Sequence, residues 1–158
     1  MAEVIDRSVP SLSEMPGHYI RRLQQIAVAV FLQETESLGV TPIQYAAMQV
    51  LSAQPGLDQR SLAGLIGLDT STMAGVIDRL EARNLLQRSN SHADRRVRIL
   101  TLTDRGASIL IAVQPSVDRA QKRILAPLSK TERKEFMRLM KILVTANNDL
   151  SRAPSEGI

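Results

Sequence analysis

Apolar side chains recur along most of this chain at intervals of three and four residues, which is the period of an amphipathic helix. The first such segment runs from Pro16, a residue suited to the first turn of a helix, to Gly39, a typical helix end. Its apolar positions are Tyr19, Ile20, Leu23, Ile26, Ala27, Val30 and Phe31. The pattern predicts one long amphipathic helix before residue 40.

Side chains that cap helix N-termini mark further helix starts. Thr41 and Gln44 have the spacing of a capping box, and Ser129 and Glu132 have the same spacing before a last helix. Thr103 is placed to cap a helix between these two. The side chains expected to face inward are Ala46, Ala47, Val50 and Leu51 after the first box and Phe136, Leu139, Met140, Leu143 and Val144 after the second.

Two shorter helices are predicted between residues 58 and 84. Asp58 is placed to cap the segment QRSLAGLIG, and Asp69 is placed to cap TSTMAGVIDRLEARN. A turn of about three residues that contains Gly67 separates them, and this is the arrangement of a helix-turn-helix. The apolar stripe of the second helix consists of Met73, Val76, Ile77 and Leu80.

A β-hairpin is predicted next, because LLQRS and VRILTLT read as two short strands around a polar loop. Leu100 and Leu102 fall on one face of the second strand, and Val97 and Ile99 fall on the other. A hairpin after a helix-turn-helix is a wing. In the following helix Pro115 is expected to produce a kink near Ala112 or to close a first segment.

Composition supports one mostly helical domain. Of 158 residues 44% are hydrophobic and only 3% are aromatic. The absence of cysteine excludes disulfides, thiolate metal sites and thiol redox chemistry, and with only His18 and His92 as imidazole donors we expect no metal and no cofactor. The N-terminus lacks the order of a signal peptide, and no apolar run approaches the roughly 20 residues of a membrane helix, so we expect a cytoplasmic protein without a membrane partner.

Basic residues are concentrated where a winged helix-turn-helix would meet DNA. The formal net charge is only +4, so their placement matters more than their sum. Thr70, Ser71 and Thr72 supply short hydroxyls at the start of the helix that would enter the major groove, which we call the recognition helix. The surrounding arginines are Arg79, Arg83, Arg88, Arg95, Arg96 and Arg98. Taken alone, such a basic turn is also typical of a solvated surface.

The segments LDTSTMAGVIDRLEARNLLQR and DRRVRILTLTDRG resemble the MarR family of bacterial winged-helix regulators. The D-x-R wing motif of that family corresponds to Asp94 and Arg96, its Leu-Thr pair to Leu102 and Thr103, and its T-D-x-G ends at Gly106. The resemblance covers about residues 16–150. It implies a homodimer that represses transcription by binding palindromic double-stranded DNA, with half-sites about 10 bp apart.

The resemblance also implies roles for individual residues. Arg96 would enter the minor groove, and Asp94 would orient it through a salt bridge. Ser71, Thr72 and Arg79 would contact base edges or phosphates. The sequence itself adds Thr70 and Arg95 as DNA-binding candidates.

The expected organisation is mostly α with a small β-hairpin wing. Residues 1–15 and 151–158 are expected to be a flexible arm and a flexible tail. The DNA-binding lobe would comprise residues 41–103. The dimerisation region would comprise residues 16–40 and 104–150.

The segment GHYIRRLQQIAVAVF suggests a binding site for a small aromatic acid or phenol that would release the DNA. His18 and Arg22 stand one turn apart and Arg21 is adjacent, so they could hold a carboxylate. The apolar neighbours of this candidate pocket are Tyr19, Leu23, Ile26 and Met48. The alternative is an exposed basic helix end, or pairs with Glu14 or Asp149 across the dimer.

The alternatives to a DNA-binding regulator are an enzyme and a protein-binding module. An enzyme would need a catalytic constellation or a phosphate-binding glycine loop, and the sequence contains no GxGxxG, GxxxxGK[ST] or GxSxG motif. A winged-helix module that binds another protein without binding DNA remains the alternative, because a fold does not fix a function.

Overall fold

The computed structural model describes residues 11–156. This part of the chain forms six α-helices and one two-stranded antiparallel sheet, in agreement with the predicted fold class. The elements are α1 (Pro16–Glu34), α2 (Pro42–Ala53), α3 (Gln59–Ile66), α4 (Thr70–Ala82), β1 (Leu86–Asn90), β2 (Arg98–Leu102), α5 (Asp104–Ile124) and α6 (Lys130–Ala146). Short 3₁₀ turns occupy Leu12–Glu14, Glu36–Leu38 and Asn148–Leu150.

The predicted caps are confirmed. Both capping boxes form, at Thr41 with Gln44 and at Ser129 with Glu132, and in each the two residues exchange hydrogen bonds between side chain and backbone. Thr103 Oγ1 accepts a hydrogen bond of 3.0 Å from the amide of Gly106 at the start of α5. These side chains satisfy amides that have no partner within the helix, which explains why helix starts were predicted accurately.

The first helix is shorter than predicted, because it ends at Glu34 rather than at Gly39. The buried Thr35 hydroxyl lies 2.9 Å from the carbonyl oxygen of Phe31 and 2.8 Å from that of Val40. Thr35 thereby draws the chain into a 3₁₀ turn, and Gly39, at φ +59°, reverses it toward α2.

Pro115 does not close a helical segment, because α5 runs without interruption from Asp104 to Ile124. Proline removes one backbone hydrogen bond from a helix interior. Pro115 is itself exposed, whereas Val113, Val117 and Ala120 are buried against α1. Packing of this face holds the helix together across the missing bond.

The core of the lobe lies between α2, α3, α4 and the hairpin. The recognition helix α4 buries its whole predicted stripe. In the sheet Leu86 pairs with Leu102 and Arg88 pairs with Leu100. Leu100 is buried and Leu102 packs against the same core, while Val97 is exposed, so the predicted faces of β2 are confirmed.

A second, smaller core joins α1 to α5 around Phe31, Val113 and Val117. At its edge the Glu34 carboxylate accepts hydrogen bonds from Arg119 Nε at 2.9 Å and from Arg123 Nη1 at 2.7 Å. Through these two contacts the pKa of Glu34 lies below its ordinary value, Arg123 having the larger effect. The two cores meet at Ile109 of α5, which packs against both.

The C-terminal residues that the structure describes do not form a flexible tail. The amide of Glu156 donates to the carbonyl oxygen of Gly64 at 2.8 Å, and Ser155 Oγ donates to that of Leu65 at 3.1 Å. Asn148 exchanges two hydrogen bonds with the backbone of Ser155. Residues 151–156 therefore lie against α3, contrary to the prediction. Residues 1–10 of the predicted arm and residues 157–158 lie outside the described part, and 12–14 form a turn.

Within residues 11–156 no helix is both long enough and apolar enough to cross a membrane. In the same range no group of three or more His, Cys, Asp or Glu side chains is arranged to hold a metal ion.

Candidate nucleic-acid interface

The start of α4 is organised around one carboxylate. Asp69 accepts hydrogen bonds from the hydroxyls of Ser71 at 2.5 Å and Thr72 at 2.6 Å, and from the amide of Thr72 at 2.8 Å. These contacts, that of Ser71 first, hold the pKa of Asp69 well below its ordinary value. Both hydroxyl groups therefore donate their proton to the Asp69 carboxylate, and their oxygens remain exposed to solvent as hydrogen-bond acceptors.

The carbonyl oxygen of Thr70 is also engaged. Gln59 Nε2, at the first position of α3, donates to it at 3.0 Å. This contact joins the first turns of the two helices of the helix-turn-helix. Sequence reasoning missed Gln59, because its partner is a backbone atom eleven residues away and no pattern of side chains indicates it.

The wing loop between β1 and β2 is closed by its own hydrogen bonds. Ser91 donates its amide to Val97 and accepts at its hydroxyl from Ala93, while Val97 donates to the carbonyl oxygen of Asp94. The Asp94 carboxylate accepts from the backbone amide of Arg96 at 2.9 Å. Among residues 11–156 no ion pair joins the side chains of Asp94 and Arg96, so the contact between the two residues runs through the backbone of Arg96.

Four of the predicted arginines are exposed and free to meet an anion. In residues 11–156 their guanidinium groups make no hydrogen bond and no ion pair with the protein. They are Arg79 of α4 and Arg95, Arg96 and Arg98 of the wing. Arg60 at the start of α3 is also exposed and unpaired in this range, and sequence reasoning did not single it out.

Two further arginines are engaged with the protein itself, contrary to expectation. Arg83 donates to the carbonyl oxygens of Gly39 at 2.6 Å and Leu38 at 2.8 Å, so it ties the end of α4 to the turn before α2. Arg88 forms ion pairs with Asp78 and Glu81. Their internal partners remove both from the set available to DNA.

The candidate effector residues lie on the open surface of α1. Arg21 Nη2 lies 3.4 Å from His18 Nδ1, so Arg21 rather than the predicted Arg22 is the neighbour of His18. Both arginines donate to Gln25 Oε1, Arg22 at 3.1 Å and Arg21 at 3.4 Å. Two cations and an imidazole thus share one patch of helix.

The apolar candidates divide into two groups. Tyr19 and Ile26 are 57% and 46% exposed on α1, and the ring of Tyr19 lies edge-on to that of His18. Met48 is completely buried in the core of the lobe. The structure therefore does not bring Met48 to the surface beside His18. The prediction was wrong at Met48 because helical spacing alone does not distinguish a core position of α2 from a pocket wall.

Residues 40–97, which include the helix-turn-helix, match the MarR family. The transcriptional regulator HosA of Escherichia coli is 33% identical over 129 residues, covering 82% of this chain and 94% of HosA. The chain belongs to the MarR family. This family consists of transcriptional regulators, so the enzyme class does not apply.

Solved structures of MarR regulators match the fold throughout. BpsR of Bordetella bronchiseptica, whose DNA binding is regulated by 6-hydroxynicotinic acid, superposes with a TM-score of 0.80 at 30% identity, covering 85% of this chain and 96% of BpsR. The repressor CouR, solved on a 23-mer DNA duplex, superposes with a TM-score of 0.79 at 28% identity, covering 87% of this chain and 99% of CouR. The chain is a DNA-binding transcriptional regulator of the MarR type.

Proposed function

We propose that this MarR protein is a homodimeric repressor that binds palindromic double-stranded DNA and is released by a small aromatic carboxylate or phenol. The observation that carries the DNA proposal is that Arg79 of α4 and Arg95, Arg96 and Arg98 of the wing are exposed, with guanidinium groups that make no hydrogen bond or ion pair within residues 11–156. Guanidinium groups without protein partners lose no internal contact when they bind phosphate. CouR on its DNA duplex supports the same use of the fold.

The recognition helix would read the major groove with its first turn. The hydroxyl oxygens of Ser71 and Thr72 retain free lone pairs and accept hydrogen bonds from base amino groups. Arg79 follows on the exposed side for phosphate or base contact, and Thr70 begins the helix. Arg96 would lie in the adjacent minor groove, where a narrow, electronegative groove favours a guanidinium.

The proposed dimer follows from apolar surface that the single chain leaves uncovered. No residue of α6 is buried in the single chain. Its apolar side chains Ile142, Leu143 and Val144 are 50%, 56% and 50% exposed. On α1, Ile20 is 62% exposed. Apolar exposure of this extent on two helices is typical of a surface that a second copy covers.

The proposed effector site comprises His18, Tyr19, Arg21, Arg22 and Ile26 on α1. Its two guanidinium groups suit a carboxylate and its two apolar side chains suit an aromatic ring. In a dimer the open surface of α1 would become a wall of a cleft. The regulation of BpsR by a hydroxylated pyridine carboxylic acid supports this ligand class.

The DNA proposal is tested by Arg96→Ala in anisotropy titrations against the DNA upstream of the protein's own gene. We expect an affinity loss of about tenfold or more, since one minor-groove or base contact contributes about 1–3 kcal/mol. Arg138→Ala is the matched control: it removes the same charge from α6, where Arg138 pairs with Glu135. Equal affinity of the wild type and Arg96→Ala, with both folded, would contradict the role of the wing.

The effector proposal is tested by adding aromatic carboxylates, 6-hydroxynicotinate among them, to the preformed complex. An effector shifts binding only as far as it prefers the DNA-free state. We expect Arg21→Ala and Arg22→Ala to bind DNA normally and at least one of them to lose the response. Gln24→Ala, an exposed change on the same helix, should respond like the wild type. An undiminished response of both arginine variants would remove this patch from the proposal.

A further inference from the structure

Arg88 occupies an unusual position for an arginine, at the centre of β1 on the core side of the hairpin. It is the cross-strand partner of Leu100, which is 1% exposed, and it follows the buried Leu86 by two residues. Residues two apart in a strand, and partners across a ladder, project to the same face of the sheet. The side chain of Arg88 is therefore directed toward α4 rather than toward solvent.

The guanidinium of Arg88 bridges two carboxylates of the recognition helix. Its Nη2 lies 2.5 Å from Asp78 Oδ1, and its Nη1 contacts Glu81 Oε2. Asp78 and Glu81 are three residues apart and so share one face of α4. The Arg88 side chain is 24% exposed, and Asp78 in particular raises its pKa above the ordinary value. The planar fork of arginine fits two acceptors at once, which the point charge of lysine does not.

This bridge is the outermost hydrogen-bonded connection between the wing and α4. In the described chain, the hydrogen bonds of residues 91–97 join only residues of that loop. A two-stranded ribbon has little independent stability, so its direction depends on contacts at its base. The apolar contacts of Leu86 and Leu102 and the backbone hydrogen bonds of Leu100 to Gly56 and Leu57 hold the base. Arg88 lies level with Leu100, so its ion pairs add a link to α4 at the outer end of these contacts.

We propose that Arg88 is a positioning residue, whose two ion pairs with Asp78 and Glu81 fix the angle between the wing and the recognition helix so that both reach DNA together. The proposal rests on the proposed DNA contacts of the wing. Arg88 itself does not touch DNA. Its contribution to global stability is small, because ion pairs with exposed partners contribute little.

The first test requires no DNA. Arg88→Gln should make the wing more mobile and accelerate tryptic cleavage after Arg95 and Arg96 at least about threefold, while the melting temperature changes by no more than about 4 °C. Arg138→Gln, which breaks a pair within α6, is the control and should leave cleavage in the wing unchanged. Cleavage in Arg88→Gln at the wild-type rate would contradict the proposal, whatever the protein binds.

The second test is a double-mutant cycle of Arg88→Gln with Arg96→Ala, read as affinity for the upstream DNA. If Arg88 acts through the wing, its loss weakens binding in the wild type but has at least about threefold less effect once Arg96 is removed. Equal losses in both backgrounds would mean that Arg88 contacts phosphate directly and would overturn the positioning role. An Arg96→Ala variant with wild-type affinity would contradict the DNA contact of the wing. The cleavage test does not depend on that contact and would still decide whether Arg88 holds the wing.

Arg88→Lys separates geometry from charge. Lysine keeps the positive charge beside Asp78 and Glu81 but cannot donate to both through a rigid fork. We expect Arg88→Lys to lower the logarithm of the DNA affinity by at least about half as much as Arg88→Gln does. Full recovery by lysine would mean that the carboxylates only need neutralisation, and would overturn the proposal.

Discussion

At the scale of single residues, Gly106 determines how closely α5 approaches Leu85, the residue before β1. A Cβ atom at this position would lie 1.9 Å from the carbonyl oxygen of Leu85. We predict that Gly106→Ala lowers the free energy of unfolding by about 3 kcal/mol or more, because backbone must move to accommodate the methyl group.

The matched control for Gly106→Ala is Gly75→Ala. Gly75 lies within α4 and has open space where its Cβ would be. Alanine there should stabilise the helix by roughly 0.5–1 kcal/mol. Urea denaturation of both variants checks the pair, and two changes of the same sign would contradict the geometry.

Asp58 links stability to pH. It accepts hydrogen bonds from the amide and hydroxyl of Ser61 at 2.9 and 2.8 Å, and these contacts lower the pKa of its carboxyl. We predict that Asp58→Ala lowers the free energy of unfolding by about 1 kcal/mol at neutral pH, the usual contribution of a cap.

The sign of the pH dependence follows from the lowered pKa. Ionised Asp58 contributes fully to the free energy of unfolding above the pKa that its carboxyl has in the unfolded chain, about 4. This contribution is lost as the pH falls through the lower pKa of Asp58 in the folded protein. Urea midpoints of the wild type and Asp58→Ala should therefore converge below about pH 4. Asp149→Ala, an exposed change in the 3₁₀ turn after α6, should show no such convergence. A gap that widens on acidification would contradict the assignment.

Single-residue features were predictable from the sequence where their cause is local. The caps at Asp58 and Asp69 depend on neighbours three residues away, and both were predicted. The partners of Arg83 and Arg88 depend on the fold, and both residues were grouped with the arginines expected to surround DNA. The sequence did contain a signal for the ion pairs of Arg88. Arg88 follows Leu86 by two residues and so shares its strand face, while Asp78 and Glu81 share one helix face.

At the scale of elements, Asn148 holds residues 151–156 against α3, and we call these residues the strap. Asn148 donates to and accepts from the backbone of Ser155, at 2.9 and 2.8 Å. Arg152 lies in the exposed part of this strap. We predict that Asn148→Ala accelerates tryptic cleavage after Arg152 about fivefold, as expected when local opening becomes about 1 kcal/mol easier.

Asn147→Ala is the control for the strap. Asn147 donates to the carbonyl oxygen of Leu143 within α6 and makes no hydrogen bond to residues 151–156. Its substitution should leave cleavage at Arg152 unchanged. Equal acceleration in both variants would mean that fraying of α6, not release of the strap, exposes the site.

Element boundaries followed from the sequence where side-chain chemistry marks them and not where tertiary packing decides. The two capping boxes placed α2 and α6 within a residue. The end of α1 was missed because Thr35 turns the chain by bonding two carbonyl groups. The alternative that Pro115 closes a helical segment was wrong, because α5 continues through it. The strap was missed because its partners lie on α3.

At the scale of the whole molecule, the proposed dimer depends on apolar residues of α6. We predict that Leu143→Glu, at a position 56% exposed in the single chain, leaves the fold intact but weakens dimerisation at least about tenfold. Sedimentation across a concentration series measures this. Thr145→Glu introduces the same charge two residues away and should dissociate less. A Leu143→Glu protein that remains dimeric would place the interface elsewhere.

The molecular organisation was predicted in its order, with a helix-turn-helix, a wing and long flanking helices. The wing motif at Asp94 and Arg96 carried the family assignment, which the comparison with HosA confirms. The ligand, the operator and the quaternary structure are not contained in the periodicity of one chain, because each depends on a second molecule.

The most direct measurement for the central claim is a fluorescence anisotropy titration of the protein against the DNA upstream of its own gene, at about 50 and about 200 mM salt, with and without a panel of aromatic carboxylates. A dimer that neutralises about six phosphates should bind roughly 10³-fold more weakly at the higher salt concentration, and one compound should reverse the binding. Absence of binding at low salt to this DNA and to random duplex would contradict the account.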